Sequence, residues 1–234
     1  SLCFAQVRLT NDPGWSQTGP NQTIATDSQG GVHVVWADNR GGYSGTYYKY
    51  SPDGGLNWEV DQLLSESGNA PAITIDSQDG VHVVYTDDYH DGSIYYKYSP
   101  DRGQTWENDV VLGDGDNGDI TTDSKDDVYA VWRWRDSGRE EIYCARTWVG
   151  KFGRVWATPI LVDSAIAPLV FSEKNVDISI DSQDKVHVVW DDFRNGVDNS
   201  EIYYSSSPDG FAWDLGGEKR LTDSEIHSLG PSIV

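Results

Sequence analysis

The sequence predicts an all-β propeller of four-stranded antiparallel blades, and three observations carry that expectation. First, only 37% of the 234 residues are hydrophobic, yet 12% are aromatic, with ten Trp and thirteen Tyr. Few aliphatics and many aromatics favour pleated sheet over a helical bundle. Second, one segment recurs four times: Asp27–Trp36, Asp76–Tyr85, Asp123–Trp132 and Asp181–Trp190, spaced by 49, 47 and 58 residues. Third, each unit holds four short apolar runs separated by turn residues, which is the make-up of a propeller blade.

In the second unit, strand a is expected near 71–75, strand b near 80–86, strand c near 93–99 and strand d near 106–112. Turn residues separate them: Asp-Ser-Gln-Asp-Gly, Asp-Asp-Tyr-His-Asp-Gly and Ser-Pro-Asp-Arg-Gly. The blades are expected at about 20–65, 70–113, 117–162 and 175–223 of one domain over 7–234. Val7-Arg8-Leu9-Thr10 matches Arg220-Leu221-Thr222, the last strand of unit four, so the chain opens with an isolated strand d. Residues 230–234 read as a fifth strand a. The sequence therefore favours a ring of more than four blades over a four-bladed ring closed by this chain, with association through an incomplete blade as a consequence.

The charge narrows the partners. Thirty-eight acids against seventeen bases give −21, and 29 of the acids are Asp, a turn residue. So negative a field repels phosphate backbones and anionic membranes. No apolar run approaches the roughly 18 residues of a membrane helix. Residues 1–6 read like the remnant of a signal peptide, so a secreted or cell-surface location is expected. Cys3 and Cys144 have unrelated contexts and no metal-binding spacing.

The strand c–d connection carries a family resemblance. Ser99-Pro100-Asp101-Arg102-Gly103-Gln104-Thr105-Trp106 is a complete Ser-x-Asp-x-Gly-x-Thr-Trp box. Ser51, Asp53, Gly55 and Trp58 repeat it with Asn57 for Thr, and Ser207, Asp209 and Trp213 repeat it one residue short. Unit three keeps only Trp156. The chain resembles the sialidase-type Asp-box (BNR repeat) propellers over nearly its whole length. The box itself reads as structural: Ser and Asp hold a tight turn, Gly accepts positive φ, and Trp packs at the start of strand d.

In that family ligands bind over the central channel, on the face built from the d–a and b–c loops. The resemblance thus makes Arg40, Tyr89, His90, Trp134, Arg135 and Arg194 the candidate ligand residues. A sialidase would grip a carboxylate with three arginines, here Arg40, Arg135 and Arg194, and use Asp87 or Asp88 as the acid. The Arg-Ile-Pro signature is absent, and Asp-x-Arg recurs in two units, as a structural ion pair would. Trp134 and Arg135 break the repeat and form a candidate sugar platform. His33, His82 and His187 share one strand-b position and read as packing residues; His90 and His227 have no evident partner. Asp114, Asp116 and Asp119 bunch in one d–a loop as a candidate calcium site. Asn21-Gln22-Thr23 is a glycosylation sequon.

No cofactor other than calcium is implied. The expected function is an extracellular binding or structural module with a carbohydrate or protein ligand. The alternative is a sialidase-like glycoside hydrolase or part of one.

Overall fold

A computed structural model describes residues 7–11, 14–87, 92–136, 139–150, 153–163, 175–196, 199–224 and 226–234. Among them there are eighteen strands and no helix, hence no helix long and apolar enough to cross a membrane. Blade 1 holds β1 (Ser16–Gln17), β2 (Ile24–Thr26), β3 (Val32–Asp38), β4 (Gly45–Ser51) and β5 (Gln62–Ser65). Its strand a is split: β1 and β2 both pair with β3. Blade 2 holds β6 (Gly68–Ile75), β7 (Val81–Asp87), β8 (Ser93–Ser99) and β9 (Val110–Asp114). Blade 3 holds β10 (Asp116–Thr122), β11 (Val128–Asp136), β12 (Arg139–Gly150), β13 (Gly153–Trp156) and β14 (Ile160–Asp163). Blade 4 holds β15 (Val176–Ile180), β16 (Val186–Asp192), β17 (Glu201–Ser207) and β18 (Lys219–Arg220). All pairings are antiparallel and run from strand a to strand d in chain order.

Two expectations shift. Strand d of blade 2 begins at Val110, because Trp106 and Glu107 belong to the turn, with the Glu107 amide donating to the Tyr98 carbonyl at 2.8 Å. Residues 7–10 form no strand; Leu9 instead packs on Val34, Trp36 and Tyr47 of blade 1.

Alternation along β3, β7, β11 and β16 puts one face toward each neighbouring blade. The b–c pairs Trp36/Tyr47, Tyr85/Tyr95, Trp132/Tyr143 and Trp190/Tyr203 stack at 5.6–6.3 Å. Such a pair contributes about 0.5–1.5 kcal/mol beyond its buried area. The core lies between blades. Val35, Tyr48 and Leu64 meet Ile73, Val81 and Val83; Val84, Ile94 and Leu112 meet Ile120, Val128 and Ala130; Val131, Ile142 and Val162 meet Ile178, Val186 and Val188. A bulge in the c–d pairing of blades 1 to 3 turns Leu64, Leu112 or Val162 toward the next blade.

The a–b turn explains the repeated Asp-Ser-x-Asp. The first Asp holds its own turn: Asp76 accepts the amides of Gln78 and Gly80 at 3.0 and 2.7 Å. Its other oxygen meets His82 Nε2 at 3.0 Å, while His82 Nδ1 bonds the Tyr96 hydroxyl at 2.7 Å. His33 and His187 repeat this link. Burial pushes the pKa of His82 down; the Asp76 carboxyl falls to about 2 because its hydrogen bonds, first the one from His82, outweigh burial. The histidines are packing groups.

The Ser and the second Asp join blades. The amide and hydroxyl of Ser28 donate to both oxygens of Asp79, at 2.8 and 2.9 Å. Ser77 does the same to Asp126 and Ser124 to Asp184, at 2.8–3.0 Å. Each accepting Asp has φ of 61–63°, which Asp tolerates better than most residues.

The box residues form the c–d turn. The Asp101 carboxylate accepts Ser99 Oγ, the Thr105 amide and Thr105 Oγ1 at 2.8, 2.7 and 2.6 Å. In blade 1, Asn57 takes over the Thr bonds to Asp53. In blade 4 the shortened box keeps Gly210 N to Ser207 Oγ and Ala212 N to Asp209 Oδ1, both at 2.9 Å. Blade 3 replaces the box with the β12–β13 hairpin, yet Trp156 meets Tyr96 edge-on at 4.9 Å as Trp106 meets Tyr48 at 5.0 Å. Asp101→Ala is expected to destabilise by about 1–3 kcal/mol, since the turn donors lose their acceptor. An unaltered melting temperature would remove the structural role.

Candidate functional site at the channel mouth

The d–a connections bring neutral polar residues to the axis. β6 and β10 each carry a bulge, between Asn69 and Ala72 and between Asp116 and Asp119. Ala70 and Asn117 there have φ of 43° and 51°. A bulge re-aims the side chains beside it. Asn69, Asn117 and Asn175, from blades 2, 3 and 4, converge with Gln17, Thr18, Gly19 and Pro20 of blade 1 on a cavity of about 220 Å³. Among the described residues, no ionisable side chain lines it. Asn21 braces the wall, its amide donating to the Gly118 carbonyl at 2.8 Å.

Arg40 and Arg194 are each held by acids. Arg40 donates to Asp38 at 2.8 Å and Asp61 at 2.6 Å, and its guanidinium lies 4.2 Å from the Tyr47 ring centre. The Arg40 hydrogen bond holds the Asp38 carboxyl far below the usual carboxylate range. Arg194 binds Asp192 and Glu218 at 2.8 Å, and Asp163 of blade 3, over the Tyr203 ring. Asp61 and Glu218 precede the outermost strands, so both arginines belong to the rim. The Asp-x-Arg ion pair forms in both blades.

Trp134 lies half-buried, edge-on to Tyr143 with ring centres 6.4 Å apart, in a shallow cleft with Trp132, Pro159 and Asp114. Arg135 stands opposite Glu140 in the β11–β12 pairing, and its side chain lies outside the described residues, as do Tyr89, His90 and Asp88. His227 accepts the Ser200 amide at 3.1 Å.

The three acids of the d–a loop point to different partners. Asp116 pairs with Arg133 at 2.6 Å, Asp114 accepts Ser93 Oγ at 3.4 Å, and Asp119 is buried against Asp177 and the Ile178 amide. Among the described residues, no three His, Cys, Asp or Glu gather as a metal cage. Cys144 is a buried free thiol whose pKa burial pushes up to about 12; Cys3 lies outside the described residues.

Burial, with Asp177 adding to it, raises the Asp119 pKa well above its ordinary value. The fold therefore favours the protonated carboxyl more than the unfolded chain does. Its contribution is full below the unfolded pKa near 4 and is lost as pH rises toward the folded value. Asp119→Asn is expected to raise the melting temperature at pH 7 and leave it nearly unchanged at pH 3. Equal shifts at both pH values would contradict the raised pKa.

No family model matches the sequence, and no curated protein matches it. The fold has many counterparts among solved structures. An α-L-arabinanase of Penicillium chrysogenum, solved with arabinobiose, matches with a TM-score of 0.59 at 12% identity over 87% of this chain and 66% of that one. A protein of unknown function from Dyadobacter fermentans matches at 0.57 and 10% over 94% and 76%. NanB, solved with Optactamide, matches at 0.57 and 10% over 86% and 51%. The chain spans between about half and three quarters of the length of these proteins. The likeness shows a β-propeller, here of four blades that do not close into a ring.

Proposed function

We propose that the protein is a carbohydrate-binding propeller module that takes a neutral sugar at the channel mouth, outside the cell. One observation carries this reading: amide side chains from blades 2, 3 and 4, with Gln17 and Thr18 of blade 1, converge on one cavity whose described lining holds no ionisable group. Amides donate and accept at once, which suits vicinal hydroxyls. The cavity is smaller than the roughly 300–1,000 Å³ of drug-sized pockets, and suits one ring or a chain end. The glycan-active proteins among the solved neighbours support the same ligand class. Glycoside hydrolysis, the alternative, needs two carboxyl groups flanking the bond; the described lining of the cavity holds amides and a hydroxyl instead.

The test is an amide-shift titration with neutral mono- and disaccharides. Saturable shifts confined to the mouth are expected, weakened about three- to tenfold by Asn175→Ala or Gln17→Ala, as for loss of one hydrogen bond. Absence of saturable shifts, or shifts indifferent to both variants, sinks the reading. Turnover of a fluorogenic glycoside would promote the hydrolase instead.

A further inference from the structure

Blade 3 lacks an arrangement that blades 1 and 4 share. In those two, a guanidinium covers the stacked aromatic pair of strands b and c. Arg40 lies 4.2 Å from the Tyr47 ring centre and 5.9 Å from that of Trp36, and Arg194 lies 4.1 Å from that of Tyr203. Each arginine is held by the Asp two residues before it and by an acid just ahead of strand d, Asp61 or Glu218. Tyr47 and Tyr203 are accordingly only 9% and 6% exposed. The matching position of blade 2, Tyr89, lies outside the described residues.

Blade 3 keeps the aromatic pair and loses every member of the ion pair. Trp132 and Tyr143 stack as their counterparts do. The c–d register aligns the blades, with Tyr47, Tyr143 and Tyr203 opposite Leu63, Leu161 and Arg220. Pro159 therefore stands where Asp61 and Glu218 stand. Counted from the strand-b aromatic, Trp134 stands for Asp38 and Asp192, and Asp136 holds the register position of the two arginines. Acids have become apolar, and the cationic position has become acidic.

The exchange leaves an open cleft. A cavity of about 180 Å³ is lined by Gly113, Asp114, Trp132, Trp134, Tyr143 and Pro159. Tyr143 is half-buried where Tyr47 and Tyr203 are buried. Trp134 meets it at 82°, so two aromatic walls form a corner. Asp114 brings a carboxylate to the lining, and Glu141 places a second at the edge of the Tyr143 ring by accepting its hydroxyl at 2.8 Å. Among the described residues, no Lys, Arg or His lines the cleft. Aromatic faces attract a cation through the ring quadrupole, and a carboxylate beside them adds to that attraction.

We infer that this cleft is a binding site for a guanidinium group supplied from outside, the arginine side chain of a partner protein. It would sit on Trp132 and Tyr143 as Arg40 sits on Trp36 and Tyr47. The cavity is smaller than the roughly 300–1,000 Å³ that enclose a whole small molecule, so it admits a side-chain head and leaves the carrier's backbone outside. A net charge of −21 draws basic partners toward it. A neutral sugar could stack on the same rings but would gain nothing from Asp114. The inference does not rest on what binds at the channel mouth.

The test is a titration of the protein with acetyl-arginine amide, read at the indole Nε1–H resonances of Trp132 and Trp134. Saturable shifts are expected. The citrulline amide, of the same shape without the charge, should bind about tenfold or more weakly. Trp134→Ala should weaken the arginine probe about tenfold, and Asp114→Asn about three- to fivefold with a smaller salt dependence. A triple variant, Trp134→Asp with Asp136→Arg and Pro159→Asp, restores the ion pair of blades 1 and 4. Its own arginine should fill the cleft and abolish binding, a loss that does not depend on removing an aromatic wall. Equal affinity for the arginine and citrulline amides overturns the inference, as does undiminished binding in the triple variant or the absence of saturable shifts at both indoles. Free arginine binding more tightly than its blocked amide would make the ligand a small molecule and overturn the assignment to a partner protein. A neutral monosaccharide that moves the two indoles where the arginine probe does not would likewise overturn it.

Discussion

Arg194→Ala is expected to lower stability by about 3–5 kcal/mol, the cost of leaving buried charges unpaired. For a domain of this size that is a fall of roughly 6–20 °C in the melting temperature. Arg194 is flanked by Asp163, Asp192 and Glu218, and the first two side chains are only 2% exposed. Burial works against its charge, but Asp192 and Asp163 outweigh it and raise its pKa. Removing the guanidinium strands two buried carboxylates and unties blade 4 from strand d of blade 3. Arg194→Lys should recover only part of the loss, because a compact ammonium lacks the planar fork that spans these acceptors and lies flat on Tyr203. A melting temperature unchanged in Arg194→Ala, with sugar binding lost, would return this residue to the ligand role its position in the sequence first suggested.

The sequence and the structure agree best where the signal was local. Repeated Asp-Ser-x-Asp turns, Tyr-Tyr runs and Asp-boxes located the four sheets, since strand period and turn chemistry are written in neighbouring residues. The box was legible in its hydrogen bonds too: Asn57 could be seen to stand for Thr. What escaped was contact between blades. Nothing in Asp79 alone says that it receives Ser28 from 51 residues away, although a fourth-position Asp recurring in units two to four, against Gly30 in unit one, was a visible signal. Arg154 was also missed: it reaches from the β12–β13 hairpin to Asp76 of blade 2 at 2.6 Å. The mouth was hidden because it depends on bulges in β6 and β10, which place Asn69 and Asn117 by breaking the strand period. The acidic run 114–119 looked like a cation loop because sequence shows the carboxylates and conceals Arg133 and Asp177, which engage two of them.

The two box glycines separate the local from the non-local cost of one motif. Gly55 and Gly103 occupy the same turn position and both have positive φ, 90° and 81°. A Cβ on Gly55 would meet nothing nearer than Trp58 at 3.8 Å. Gly55→Ala is therefore expected to cost only the left-handed penalty, about 1–2 kcal/mol. A Cβ on Gly103 would lie 2.5 Å from Cε1 of Tyr48 and closer still to its hydroxyl. Tyr48 belongs to blade 1, is fully buried, bonds His33 and donates to the Arg102 carbonyl at 3.1 Å. It has no free direction in which to move. Overpacking at such a site adds about 1–3 kcal/mol, so Gly103→Ala is expected to cost roughly 2–5 kcal/mol in all. The Tyr48→Phe background tests the source of the excess. Removing the hydroxyl takes away the nearest clash, so the gap between Gly103→Ala and Gly55→Ala should narrow there. If denaturant titration finds the two glycine variants equally costly in the parent chain, the box turn of blade 2 does not bear on blade 1, and the close interlock of neighbouring blades loses its main support.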